Sequence, residues 1–238
     1  MLVCGIAVAV VAQVESAVDD GARAVASQHA GADLALRVSL VLGDDPARQD
    51  AQVRAALADS LAGLSAPLTV DRSVAGKAIV TVPRSAGGSG EQRAVSVVSL
   101  CDLPARADLV AGSWGSDEGD VVVQADAADE LGLRPGTEAV LGGVRVHVSG
   151  TWRARDHLDP LWLGDPQVEV GSDDGRFGPV VVDERRWPEL EAEPRARWTL
   201  VPDLDEVTAA DLDAVTAARN RLAFDWAGRV DGAESLQV

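Results

Sequence analysis

The chain has 238 residues, 47% of them hydrophobic, which is enough for one large folded domain or two small ones with their own cores. Its formal net charge is −17, with 38 acidic side chains against 21 Lys and Arg, so the surface is strongly acidic. Nucleic acid is therefore not an expected partner, because phosphate binding depends on clusters of Lys and Arg.

The N-terminus opens with an apolar run, MLVCGIAVAVVA (residues 1–12). A membrane-spanning helix needs about 20 apolar residues, so this run is too short by itself. A signal peptide would begin with basic residues, and none precedes Arg23. A buried core helix, a weak signal peptide and the outer half of a membrane helix are the three interpretations, and we favour the third. Residues 1–30 are then one N-terminal helix, the remnant of a membrane helix.

The next segment, residues 31–100, predicts a strand, a helix and further strands. Asp33–Leu42 (DLALRVSLVL) has the composition of a strand. Asp45 suits a helix N-cap and Pro46 the first helical position, so a helix is expected from there to about Leu64. Three strands follow, with a Gly-rich loop before the last: Leu68–Asp71, Ala78–Val82 and Ala94–Leu100, the loop being Arg84–Gln92.

Residues 101–177 are rich in Gly, Pro, Asp and Trp and are predicted to form an inserted β-rich lobe. Val121–Val123 is a β-branched strand, and Ala125–Leu131 is composed of helix formers. A hairpin follows, in which Gly142-Gly143 supplies the positive φ angles that a two-residue turn requires.

The final segment, residues 178–238, returns to alternating strands and helices. Its predicted elements are the strand Val180–Asp183, a short helix near Trp187–Leu190, the strand Trp198–Val201 and the helix Thr208–Leu222. Together with residues 31–100 they predict a split strand-helix-strand unit of the ferredoxin-like kind, into which residues 101–177 are inserted. The predicted fold class is therefore α+β.

Motifs of catalysis and of cofactor binding are missing from the sequence. The three histidines, His29, His147 and His157, lack the spacing of a metal site. The sequence has no phosphate-binding Gly-rich loop, no dinucleotide fingerprint and no Ser nucleophile elbow. Cys4 and Cys101 are too far apart in sequence for a redox or metal pair. We expect no enzyme activity, no cofactor and no metal.

Two acidic segments have structural interpretations. The carboxylates between Asp203 and Asp213, among them Asp211, surround the start of the last predicted helix, where they complement its N-terminal dipole. Asp173-Asp174-Gly175 has the composition of a turn, and the spacing of a calcium-binding loop is missing there.

The candidate contact surface is the segment WRARDHLDPLWLGDP, residues 152–166. Trp152 and Trp162 flank a charged stretch that contains Arg153 and Arg155. Aromatic residues beside Arg are enriched at binding hot spots, which suggests a partner contact through these four residues. Trp is also a common way to fill the core of a small lobe, so a core role for the two tryptophans is the competing interpretation.

A family resemblance is carried by the passage Gly119–Trp152 (GDVVVQADAADELGLRPGTEAVLGGVRVHVSGTW). It has an acidic-glycine pair, an apolar strand, a Leu-Gly helix end and a Gly-closed hairpin. Leu103–Val123 and Gly178–Trp187 are similar to the entry into the family's inserted lobe and its exit, and Asp33–Leu42 is similar to its first strand. In these features the chain resembles the MacB-like periplasmic core, the extracytoplasmic domain of FtsX-like ABC transporter permeases.

The resemblance implies a non-catalytic domain on the extracytoplasmic side of the cell membrane. Such a domain would relay ATP-driven motion of membrane helices to a substrate or partner outside. The implied partners are the membrane, a separate ABC ATPase reached through a membrane part that this chain lacks, and a second copy in a homodimer. The alternative is a secreted or membrane-anchored binding protein that is independent of a transporter, and a hydrolase is a distant third.

Overall fold

The computed structural model describes residues 35–82, 90–157, 159, 161–162, 164–203, 206, 208–222, 226 and 229–233. The predicted helix of residues 1–30 and most of the predicted loop Arg84–Gln92 lie outside this range. The strands are β1 (Leu36–Val41), β2 (Leu68–Val82), β3 (Glu91–Leu100), β4 (Ala107–Gly112), β5 (Asp120–Gln124), β6 (Glu138–Leu141), β7 (Val144–Ala154), β8 (Ser172–Asp173), β9 (Arg176–Val181) and β10 (Arg195–Pro202). The helices are α1 (Pro46–Ser60), α2 (Leu103–Arg106), α3 (Ala125–Leu131), α4 (Pro166–Val170), a 3₁₀ helix (Glu184–Glu189) and α5 (Ala209–Leu222). Among these helices, none is long and apolar enough to cross a membrane.

The chain folds into two compact units. The first contains the described residues up to Asp71 and those from Trp198 onward, and the second is Arg72–Arg197. The chain passes from the first unit to the second within β2 and returns within β10. In sequence, the second unit is therefore an insertion in the first.

The first unit has the strand order β1–β10–β2. Because α1 connects β1 to β2 and β10 lies between these strands, the strand-helix-strand unit is split, as the sequence predicted. Apolar side chains from three elements are buried in it: Val38 and Leu40 of β1, Val53 and Leu57 of α1, and Leu200 of β10. Val53 and Leu57 are four residues apart, which places both on one face of the helix.

The start of α1 confirms the predicted cap. The Asp45 carboxylate accepts a hydrogen bond from the Arg48 amide at 3.0 Å, and Pro46 occupies the first helical position. The helix ends at Ser60 rather than at the predicted Leu64. The Leu64 amide donates to the carbonyl of Leu61 only three residues earlier, so the chain tightens into a turn there.

The buried carboxylate Asp211 stabilises the first turn of α5. It is 1% exposed and accepts hydrogen bonds from four donor groups, the amide and hydroxyl of Ser65 at 2.7 and 2.8 Å and the amide and hydroxyl of Thr208 at 2.9 and 2.7 Å. Burial raises the pKa of Asp211, but these hydrogen bonds outweigh it and lower the pKa to about 2. One side chain thus ties α5 to the turn after α1.

The second unit is built on a mixed sheet with the strand order β2–β3–β9–β5–β7–β4. The pairs β3–β9 and β5–β7 are parallel, and the other adjacent pairs along this path are antiparallel. Short helices between the strands complete the predicted α+β class, which is confirmed. The predicted strand, helix and hairpin of residues 119–148 are all present, and Gly142 and Gly143 adopt φ angles of 52° and 83° at the turn.

A single long strand replaces the two predicted strands Leu68–Asp71 and Ala78–Val82. The strand β2 pairs with β3 without interruption from Ser73 to Val82. Gly76 lies inside this ladder, and a Cβ atom there would come within 2.9 Å of the Trp187 ring. The glycine is needed for this close approach, and it does not break the strand.

The boundaries between the two compact units lie at residues 71/72 and 197/198, whereas the sequence predicted domain boundaries at 100/101 and 177/178. The reason is backbone pairing: β3, which precedes residue 101, pairs along its length with β2 and is parallel to β9. These strands therefore belong to the same unit as the predicted lobe. The division into 31–100 with 178–238 and an inserted 101–177 stays a prediction.

Candidate functional site

The two tryptophans of the predicted contact surface lie in a hydrophobic core. Trp152 on β7 is 0% exposed and Trp162 is 5% exposed. Their rings stack with centroids 5.8 Å apart and an interplanar angle of 27°. They share a cluster with five other buried side chains, which are Leu103, Ala107, Val122, Leu161 and Val168. This burial corrects the prediction that Trp152 and Trp162 form a surface contact, because neither indole reaches the surface in this structure.

The two arginines of the same segment are on the surface. Side chains alternate along β7, so Arg153 points outward where Trp152 points inward. Arg153 forms an ion pair with Asp126 at 2.7 Å. Arg155 forms an ion pair with Asp108 at 2.8 Å and also donates to the carbonyl of Ala105 at 2.6 Å. A partner contact through Arg153 and Arg155 stays a prediction.

A small acidic pocket of about 280 Å³ lies beside this core. Its carboxylates come from separate turns and strands: Asp102, Asp117, Glu118, Asp120 and Asp183. Two of these carboxylates have a charged or polar partner. Asp120 lies 2.9 Å from Nδ1 of His147, and Asp183 forms an ion pair with Arg185. The Arg185 hydrogen bond lowers the pKa of Asp183 to about 2. Within the described residues, no group of three or more acidic, His or Cys side chains could hold a metal ion.

A cleft of about 670 Å³ lies in the second unit. Its floor is one face of β2 and β3, where Lys77 is paired with Ser96 and Ala75 with Val98. Because β10 borders β2 and β9 borders β3, residues 191–197 and residues 176–179 lie on opposite sides of this floor. The volume is within the range of small-molecule sites, about 300–1,000 Å³.

Charged side chains of both signs line this cleft. The cations are Lys77, Arg176, Arg195 and Arg197, and the carboxylates are Asp165, Asp173, Glu191 and Glu193. Lys77 is the single lysine of the chain. In a protein with a net charge of −17, a local balance of four cations and four anions is a departure from the rest of the surface.

Arg197 is the most unusual of these side chains. It is half-buried, and among the described residues its guanidinium has no hydrogen bond or ion pair. Burial lowers the pKa of Arg197, Asp165 raises it in opposition, and Arg195 lowers it further. Asp165 and Arg197 line the same cleft, yet the two side chains do not form an ion pair.

Sequence reasoning missed the cleft because its charged residues are far apart along the chain. One local signal was present: in Arg195-Ala196-Arg197-Trp198 the charged and apolar residues alternate with period two. The structure bears out this alternation, because Ala196 and Trp198 are 0% exposed and the two arginines line the cleft. The pattern predicts a strand with both arginines on one face.

No protein-family model and no curated protein sequence matches this chain. Solved structures similar to it include the extracellular domain of the noncanonic ABC-type transporter YknZ from Gram-positive bacteria, with 11% identity and a TM-score of 0.41 over 86% of this chain and 98% of that one. Another is the periplasmic region of MacB from Actinobacillus actinomycetemcomitans, with 12% identity and a TM-score of 0.41 over 84% of this chain and 86% of that one.

Proposed function

We propose that this chain is the extracytoplasmic domain of an ABC transporter permease and that it relays ATP-driven motion to a substrate or partner outside the membrane. The family resemblance of the sequence supports the class of protein. In this function the domain is non-catalytic, and ATP hydrolysis belongs to a separate ATPase. A membrane part outside this chain would connect the two, and the permease would work as a homodimer.

The observation that carries the relay is the way the second unit is inserted. The chain enters this unit within β2 and leaves it within β10, so each crossing is made by an extended strand and not by a loop. An extended strand is already close to its full length, at about 3.3 Å per residue. A force on one end of the strand is therefore transmitted to the other end. Two such strands would carry displacement of the first unit into the second.

The first experiment asks whether the gene product belongs to a transporter. The tagged protein is expressed from its own locus, extracted from membranes in mild detergent and analysed by mass spectrometry. We expect an ABC ATPase to copurify in a fixed ratio. Recovery of the protein without an ATPase would contradict the proposal and favour the alternative of an independent binding protein.

The second experiment tests the relay. A short Gly-Ser linker is inserted between Asp71 and Arg72, or between Arg197 and Trp198, because such a linker behaves as a flexible coil and adds slack. The control inserts the same linker between Pro135 and Gly136, in the exposed turn between α3 and β6 and away from the cleft. With ATPase assembly intact, we expect the crossing insertions to abolish transport and the control to retain it. Retained transport in both crossing variants would contradict the relay.

A further inference from the structure

We infer that the cleft of the second unit binds a small zwitterion, a molecule that carries both a carboxylate and an ammonium group, such as a short peptide with free termini. This inference goes beyond the transporter function and does not depend on it. Its starting point is a pair of opposite charges, Arg197 and Asp165, that face one cleft without forming an ion pair.

Arg197 provides the argument for a carboxylate. Taking a charged side chain even partly out of water is unfavourable unless a partner compensates, and among the described residues this guanidinium has none. Lys77 is exposed to solvent and adds a second positive charge to the cleft. Guanidinium groups bind carboxylates through two parallel hydrogen bonds, which makes Arg197 a suitable anchor.

Asp165 provides the argument for an ammonium group. Asp165 lines the same cleft as Arg197, and the two side chains do not form an ion pair. One oxygen of Asp165 accepts the Gln167 amide at 3.0 Å, which fixes the carboxylate at the start of α4 and leaves the second oxygen for a ligand. A molecule with groups of both charges could pair with both side chains inside this cleft.

The charged residues that line the cleft argue against a polyanionic ligand. Carboxylates make up half of the charged residues in the cleft, and they would repel a polyphosphate or a polyanionic chain. A small neutral molecule would supply no charge to pair with Arg197, whose guanidinium has no partner among the described residues. The volume of about 670 Å³ suits a ligand of a few residues.

The test uses the full chain and calorimetric titration with three probes: trialanine, its C-terminal amide and its N-acetyl derivative. We expect saturable binding of trialanine, and a loss of about tenfold to a hundredfold in affinity when either terminus is blocked. Equal affinity for all three probes, or no saturable binding of trialanine, would overturn the inference. Inorganic phosphate that binds as tightly as trialanine would also overturn it, because the cleft would then be a simple anion site.

Variants assign the two ends of the ligand. Arg197→Gln should weaken trialanine binding and remove the difference between trialanine and its amide. Asp165→Asn should remove the difference between trialanine and the N-acetyl derivative, and Asn preserves the cap of α4. The matched control is Arg145→Gln, which removes the same charge from an exposed position outside the cleft. Thermal unfolding identifies any variant that fails to fold, and an effect of Arg145→Gln equal to that of Arg197→Gln would overturn the assignment.

Discussion

Asp211 makes the stability of the first unit dependent on pH, and the substitution Asp211→Asn measures how much. The pKa of this carboxyl is lowered from 3.8 to about 2 in the folded protein. A lowered pKa stabilises the folded state above the unfolded pKa, and this contribution is lost as pH falls through the folded pKa. At about 1.4 kcal/mol per pKa unit, the shift corresponds to about 2 kcal/mol near neutral pH.

The expected result has a definite pH profile. Asn cannot ionise and offers one acceptor oxygen where the two carboxylate oxygens accept hydrogen bonds from four donor groups. Near neutral pH, Asp211→Asn should therefore lower the free energy of unfolding of the first unit by about 2 kcal/mol. This difference from the wild type should shrink between about pH 5 and pH 2, because the wild-type carboxyl is then protonated as well.

Hydrogen exchange measured by mass spectrometry suits this prediction, since peptides that cover α5 report on the first unit alone. Asp213→Asn is the control, because Asp213 lies in the same helix but is exposed and makes no hydrogen bond among the described residues. A difference between wild type and Asp211→Asn that stays constant from neutral to acid pH would refute the reasoning. An equal effect of the control would refute it too.

Substitutions at three further positions test the packing of the second unit by urea unfolding. Gly76→Val should cost about 1–3 kcal/mol, because its side chain meets the Trp187 ring, and an unchanged midpoint would contradict this close approach. Trp152→Ala should cost about 3–5 kcal/mol and Trp152→Phe clearly less, since the indole nitrogen has no acceptor among the described residues; equal costs would show that this nitrogen has a partner. Arg153→Ala should change stability by less than about 1 kcal/mol, because its ion pair with Asp126 is exposed, and a larger loss would give that pair a structural role.

Local patterns made much of the second unit predictable from the sequence. The helix α3 has the predicted bounds, and the Gly142-Gly143 turn joins the predicted strands. Each of these elements depends on neighbouring residues: a β-branched run, helix formers and a pair of glycines. The cap of α1 was predictable for the same reason, since Asp45 and Pro46 act on the backbone beside them.

Features that depend on distant residues were not predictable. Gly76 resembles a strand break in the sequence, and only the position of Trp187 explains it. Trp152 and Trp162 could occupy a core or an interface, and the choice depended on residues such as Val122 and Val168 that pack around them. The cleft brings together side chains from Lys77 to Arg197, and it exists only once β10 lies beside β2.

The cleft and the proposed relay share two strands, and this makes one further prediction possible. Lys77 lies on β2, and Arg195 and Arg197 lie on β10, so residues that line the cleft belong to the strands that carry the chain between the units. If these strands shift during the ATPase cycle, the affinity of the cleft for its ligand changes with the nucleotide state. Coupling free energies are reciprocal, so nucleotide binding should change by the same factor when the cleft is occupied.

The measurement is the nucleotide affinity of the intact transporter with and without saturating trialanine. A change of about fivefold or more is expected for the wild type, as is typical of allosteric coupling. Arg197→Gln should abolish this change, and Arg145→Gln should keep it. If trialanine binds to the cleft but leaves the nucleotide affinity of the wild type unchanged, the cleft is a binding site that the relay does not reach. That outcome would separate the two proposals, because it leaves the ligand site intact and contradicts the transmission of motion through β2 and β10.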